Sequence, residues 1–186
     1  PSPEYNGLTF AETFGDLAYT MYSHAISLRD LGCTQSPMNA WITLNGIETL
    51  PLRMERHCSN GLAVAKFLEK QANVEWVSHA GLESSPYFEL GKKYLPEGTG
   101  SVFTFGVKGG YESGLKMLES VELFSHVANI GDTRSLILHP ASTTHRQLTE
   151  EQRIAAGAGP EVIRLSIGIE CVEDIISDLD QALNCL

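Results

Sequence analysis

Asn129-Ile-Gly-Asp-Thr-Arg-Ser-Leu-Ile-Leu-His-Pro-Ala-Ser-Thr-Thr-His145, and after it Val162-Ile-Arg-Leu-Ser-Ile-Gly-Ile-Glu170, decide how this chain is read. Leu136–Leu138 and Val162–Ile167 are short apolar runs bounded by turn and polar residues, which predicts strands. Arg164 lies alone inside the second run, where a charge is expensive unless something anionic meets it. The ordinary arrangement is an arginine whose stem packs while its head reaches water. The functional one aims the guanidinium at a carboxylate, which it matches bidentately. Asn129, just before Gly131-Asp132, serves either as a turn residue or as an amide donor to the same anion. His139–His145 carries two imidazoles and three hydroxyls, either a capped loop or the lining of a polar pocket.

Outward from this stretch, the last residues give the clearest helix. Val172, Ile175, Ile176, Leu179, Ala182 and Leu183 form one apolar stripe. Thr149-Glu-Glu-Gln152 predicts another helix start, with acidic groups at its positive end. Upstream, Val74–Val77 and Ser101–Val107 read as strands, and Gly109-Gly110 ends the second before a helix through Leu115, Leu118 and Val121. Residues 8–31 show helical spacing, broken by Gly32–Pro37. Ser36 then offers an N-cap with Pro37 at the first helical position. That helix carries Met38, Trp41, Ile42, Leu44 and Ile47, and Pro51 restarts or kinks it into a long helix towards Lys70. The period changes near residue 70, which predicts helices over 1–70 and a compact α+β unit over 71–186.

Composition narrows the function classes. The chain has 186 residues, 42% apolar and 19% charged, as in a folded domain with a sizeable core. Twenty-three acidic against 13 basic side chains give a net charge of −10 with no basic stripe, which argues against nucleic acid or an anionic membrane surface. No apolar run reaches bilayer-spanning length. The cysteines Cys33, Cys58, Cys171 and Cys185 are scattered without a CxxC, as expected of a reduced, cytoplasmic protein. The turn-rich opening Pro1–Gly7 suits a piece of a longer polypeptide, with further residues expected upstream.

Several chemistries lack their signatures. The histidine loop has no carboxylate or cysteine at a spacing suited to metal. No G-x-S-x-G elbow occurs, and no G-x-x-x-x-G-K-[ST] loop. Gly98-Thr-Gly100 precedes a strand where a phosphate cradle would follow one. Lys66, Lys70, Lys92 and Lys93 occupy solvated-looking helix positions, and Lys108 and Lys116 are expected beside a turn. None has the desolvated setting a nucleophilic lysine needs.

Five segments in order carry a resemblance. Ser36–His57, Gly81-Leu-Glu-Ser-Ser-Pro86, Asn129-Ile-Gly131, His139–His145 and Arg164–Glu170 resemble the Cys/Met-metabolism enzymes that depend on pyridoxal phosphate, almost end to end. Ser125–Asp132 looks most like the O-acetylhomoserine sulfhydrylase branch, since the lyase and synthase branches usually carry serine where Asn129 stands. The resemblance implies an α/β, fold-type-I transferase: the last helices of its large domain, then a C-terminal small domain with a short antiparallel-rich sheet and helices on one face. It implies a homotetramer built as a dimer of dimers. The reaction implied is replacement of acetate on O-acetylhomoserine by sulfide or methanethiol, a step of methionine biosynthesis. Arg164 would bind the substrate α-carboxylate, Asn129 would assist it, and Thr144 would line the pocket near the cofactor lysine. That lysine and the other cofactor-binding and catalytic groups of the family match nothing in this chain, which alone is expected to be inactive. Alternatives are a cystathionine γ-synthase or γ-lyase, and a non-catalytic module that binds a carboxylate or a partner.

Overall fold

The structure is a computed structural model that describes all residues, Pro1–Leu186. The chain forms two compact units, Pro1–Glu48 and Thr49–Leu186.

In the first unit, helix is present where the spacing predicts it, but in pieces. Helices α1 (Phe10–Phe14) and α2 (Ala18–Tyr22) are separated by a 3-10 turn, Gly15–Leu17, and followed by a π-helical stretch, Ser23–Asp30. Gly15 breaks the run because its φ of 51° lies outside the helical region. Phe10 is the buried anchor, with the rings of Tyr5, Phe14 and Tyr22 at 5.2–5.9 Å. Helix α3 (Pro37–Glu48) starts as expected, with the Asn39 amide donating to the Ser36 hydroxyl at 3.2 Å. None of its residues is buried, although Met38, Trp41, Ile42, Leu44 and Ile47 lie along it.

The second unit is a sheet covered on one face by helices. Helix α4 (Leu50–Leu68) leads to β1 (Val74–Ser78), α5 (Phe88–Tyr94) and β2 (Val102–Val107). Helix α6 (Gly110–Ser120), β3 (Leu136–Leu138), α7 (Glu150–Ala155), β4 (Val162–Ser166) and α8 (Val172–Asn184) follow. The strands lie in the order β1-β2-β4-β3, every pair antiparallel. The sequence reading groups α4 with residues 1–70, whereas its Val64, Ala65 and Leu68 are buried in the core of the second unit. Only α5 escapes the sequence-level strand and helix assignments, beyond the helical positions given to Lys92 and Lys93. Lys116 lies inside α6, not beside a turn, because Gly109 and Gly110, both at positive φ, place the turn six residues earlier.

Alternation sorts the sheet into two faces. Phe103, Phe105, Val107, Ile137, Ile163, Leu165 and Ile167 point to the helices and meet Leu68, Met117, Ile175 and Leu179. The intervening residues Thr104, Gly106, Val162, Arg164 and Ser166 line the other face. Gly106 is required there, since a Cβ would strike the Trp76 ring. Helix α7 carries a complete capping box: the Gln152 amide donates to the Thr149 hydroxyl, and the Thr149 amide donates to the Gln152 side chain. Thr149→Ala is expected to cost about 1 kcal/mol, read as a lower urea midpoint at unchanged slope.

Candidate functional site

Arg164 stands in the middle of β4, a strand paired on both sides, opposite Thr104 of β2 and Leu138 of β3. Its neighbours Ile163 and Leu165 point into the core, so the guanidinium is forced to the face away from α4, α6 and α8. The side chain is half-buried, and its Nη2 donates to the backbone carbonyl of Asn129 at 3.4 Å. No acid pairs with it, and the ion pairs Lys92–Glu89 and Arg134–Asp132 do not involve it. A guanidinium with five donors and one long bond to a neutral carbonyl is free to take a carboxylate.

Asn129 therefore comes to Arg164, but through its main chain. Its side-chain oxygen accepts from the Ile130 amide at 2.8 Å, as in the turn alternative. Arg134 sits close by and grips Asp132, with Nε and Nη2 each 3.2 Å from its carboxylate oxygens. That guanidinium and the Arg134 amide hold the Asp132 carboxyl at about 2. Asp132 thus stays charged across the physiological range, and its partner is Arg134 and not Arg164.

Thr144 is exposed, its hydroxyl 2.8 Å from Nδ1 of His145. The loop that carries it hangs from His139, which is fully buried. Nε2 of His139 donates to the Pro160 carbonyl at 2.8 Å, so Nδ1 is the acceptor and takes the Ser142 hydroxyl at 3.0 Å. The Thr143 hydroxyl donates to the His139 carbonyl, and the Tyr111 ring stands edge-on at 5.0 Å. A Cβ on Gly114 would lie 2.7 Å from Nε2, so the imidazole fits only against glycine. His139 is thus a structural clasp of the loop.

Burial pushes His139 below its ordinary 6.5, against the pull of the Pro160 carbonyl, and does the same to His79 against Gly100. In the unfolded chain both would take a proton near 6.5 while the folded form resists. The unfolded state then binds more protons, so stability falls as pH drops below about 6.5. Thermal midpoints measured from about pH 7 to 5 are expected to decline, and His139→Gln to flatten the decline.

Sequence reasoning missed a second polar group beside the site. Ser135, fully buried, gives its amide to Glu170 Oε1 at 2.6 Å and its hydroxyl to Oε2 at 3.0 Å. The Asn60 amide on α4 donates to the carbonyls of Gly168 and Glu170 at 3.1 and 2.9 Å. Glu170 had the same signal as Arg164, a lone charge at the end of an apolar run. His57 adds Nδ1 to the Ile167 carbonyl at 2.7 Å.

Whether these residues could hold pyridoxal phosphate turns on the lysines. All six are exposed, and none is buried in a cavity wall as a Schiff-base lysine requires. The residues present do not make an attachment site for that group.

Comparison with known proteins agrees with the geometry. The family model described as Cys/Met metabolism PLP-dependent enzyme matches residues 7–184. A homocysteine synthase of Schizosaccharomyces pombe is 48% identical over 98% of this chain and 43% of its own length. O-acetyl-L-homoserine sulfhydrylase 1 of Thermus thermophilus is 46% identical over 98% of this chain and 44% of its own. A crystal structure of an O-acetylhomoserine (thiol)-lyase from Campylobacter jejuni, which carries a pyridoxyl-lysine phosphate, superposes with a TM-score of 0.85 at 40% identity. It is covered over 44% of its length, against 99% of this chain. The chain thus spans less than half the length of the relatives it matches. With the match running over nearly all its residues, the chain belongs to the Cys/Met metabolism family of pyridoxal-phosphate-dependent enzymes.

Proposed function

We propose that this chain supplies the substrate-carboxylate site of an O-acetylhomoserine sulfhydrylase, which replaces acetate by sulfide or methanethiol. The observation that carries the reading is Arg164: a half-buried central-strand guanidinium on the sheet face away from α4, α6 and α8, with a long bond to a carbonyl and no acid. Two of its N–H groups can grip an α-carboxylate in parallel and hold the amino acid in one orientation. Asn129 assists by steadying the guanidinium from one side, and Thr144 lines the pocket on the histidine loop. Names of relatives such as homocysteine synthase and O-acetyl-L-homoserine sulfhydrylase support this branch of the family.

The protein works as a homo-oligomer in this reading. Trp41, Met38 and Leu44 of α3 are each about 60% exposed, an apolar helix surface that suits burial against a partner subunit. Four unpaired cysteines, three of them exposed, suit a reducing compartment such as the cytoplasm.

The test is calorimetric titration of the chain with O-acetyl-L-homoserine. Saturable binding that disappears in Arg164→Ala supports the site, and binding that survives the substitution overturns it. For the reaction, the pyridoxal-phosphate-loaded, full-length form is expected to make homocysteine from O-acetylhomoserine and sulfide. A form that instead only cleaves cystathionine would overturn the branch assignment.

A further inference from the structure

We infer that Glu170 is a positioning residue for the Arg164 site: its carboxylate clasps the Ser125–Ser135 loop and so sets where the Asn129 carbonyl meets the guanidinium. This rests on the reading that Arg164 binds a carboxylate.

The loop is closed at its base. The Ser125 amide donates to the Ser135 carbonyl at 3.0 Å, and the Ile137 amide donates to the Ser125 carbonyl at 3.1 Å. Between these ends the chain has little to hold it, since residues 126–130 are exposed. What fixes its returning limb is the segment after β4. The Ile169 amide donates to the Thr133 carbonyl at 2.9 Å, and Glu170 takes both donors of Ser135.

The demand on residue 170 is specific. The Ser135 hydroxyl already accepts from the Gly168 amide at 2.9 Å, so its one hydrogen must be donated. With the Ser135 amide beside it, two donors converge in a buried place and need two acceptor oxygens. A carboxylate offers acceptors only, and bonds to it are stronger than those to a neutral group. The clasp is itself anchored, because Asn60 on α4 holds the carbonyls on either side of Ile169. Gly168 leaves the room: a Cβ there would collide with the Glu170 carboxylate and the Thr133 carbonyl. From α4 to Asn60, to Glu170, to Ser135, and round the loop to the Asn129 carbonyl, the helix layer thereby reaches the guanidinium on the opposite face of the sheet. Without the clasp, the loop that carries the Asn129 carbonyl loses the support of its returning limb, and the arginine loses its fixed direction.

The experiment follows the Arg164 Nε–H resonance of the 186-residue chain during titration with L-homoserine, together with amide exchange over residues 129–135. Glu170→Ala is expected to speed exchange of the loop amides and weaken binding about tenfold, the scale of effect when a supporting group is removed from a positioned one. Glu170→Gln keeps one acceptor but sets its NH2 against the other donor, so it is expected to restore only part of the loss and to bind about threefold more weakly than wild type. If Glu170→Ala does not fold, the Glu170→Gln affinity against wild type decides. Asn73→Ala, which removes a bond to the Leu183 carbonyl on a different part of the unit, serves as the stability control: it is expected to lower the melting temperature without changing affinity. Wild-type affinity in the foldable Glu170 variants overturns the inference, as does an equal loss in Asn73→Ala. Failure of the underlying reading is distinct: the wild type shows no saturable shift, or Arg164→Ala binds as tightly as wild type.

Discussion

Replacing Arg164 with alanine is expected to weaken binding of an amino-acid α-carboxylate about a hundredfold. The size follows from the bonds removed: hydrogen bonds to charged groups contribute about 1.5–3 kcal/mol, and about 1.4 kcal/mol is a factor of ten. The folded state should lose little. The guanidinium holds one 3.4 Å bond to a carbonyl at an exposed position, so its removal leaves no polar atom stranded in the core. Arg164→Lys keeps the charge but loses the planar fork, and is expected to restore only part of the affinity. Calorimetry with L-homoserine at fixed salt reads all three proteins. Equal binding by wild type and Arg164→Ala would remove the carboxylate site from this face of the sheet.

Phe105→Ala is expected to cost the second unit about 3–5 kcal/mol, the usual loss for a large buried ring. Phe105 is fully buried in β2, opposite Val77 on one side and Ile163 on the other, at the centre of the helix-covered face. The flanking residues are held in register by two antiparallel ladders, which limits how far the backbone can collapse into the hole. Against the roughly 5–15 kcal/mol typical of whole domains, such a loss leaves the unit barely folded at room temperature. Urea denaturation followed by tryptophan fluorescence, with Trp76 lying on the opposite face of the same sheet, measures it. A midpoint within error of wild type would show that the two layers are not packed as described.

The strands and most helices were legible because their signals are local. Val172–Leu183 carries its stripe within one helix, and Ser36-Pro37 and Thr149–Gln152 carry their own caps. Helix α5 was less legible: it is seven residues long, and of these only Gly91 is buried. The segment 8–31 misled in a different way. Its spacing is helical throughout, yet Gly15 at positive φ and the π-helical turns after Tyr22 divide it.

For the site, the residue types were visible and their pairings were not. Arg164 stood out because a lone charge in an apolar strand is costly wherever the strand lies. Asn129 was singled out for its amide, while the structure uses its carbonyl, a group every residue has and no side-chain pattern reveals. No local pattern gives Glu170 a role, because the buried Ser135 that it holds lies 35 residues away.

By itself the sequence determined the elements, the family motifs in their order, and the presence of an arginine that water or an anion must satisfy. Each depends on neighbours along the chain, within one helical turn or one strand. Only the tertiary structure decided that Arg164 faces away from the helices, that Asp132 is taken by Arg134, and that Glu170 braces the loop above the site. Those outcomes depend on the order β1-β2-β4-β3 and on which loops close over which strand. Long-range pairing settles both, and local spacing carries no record of it.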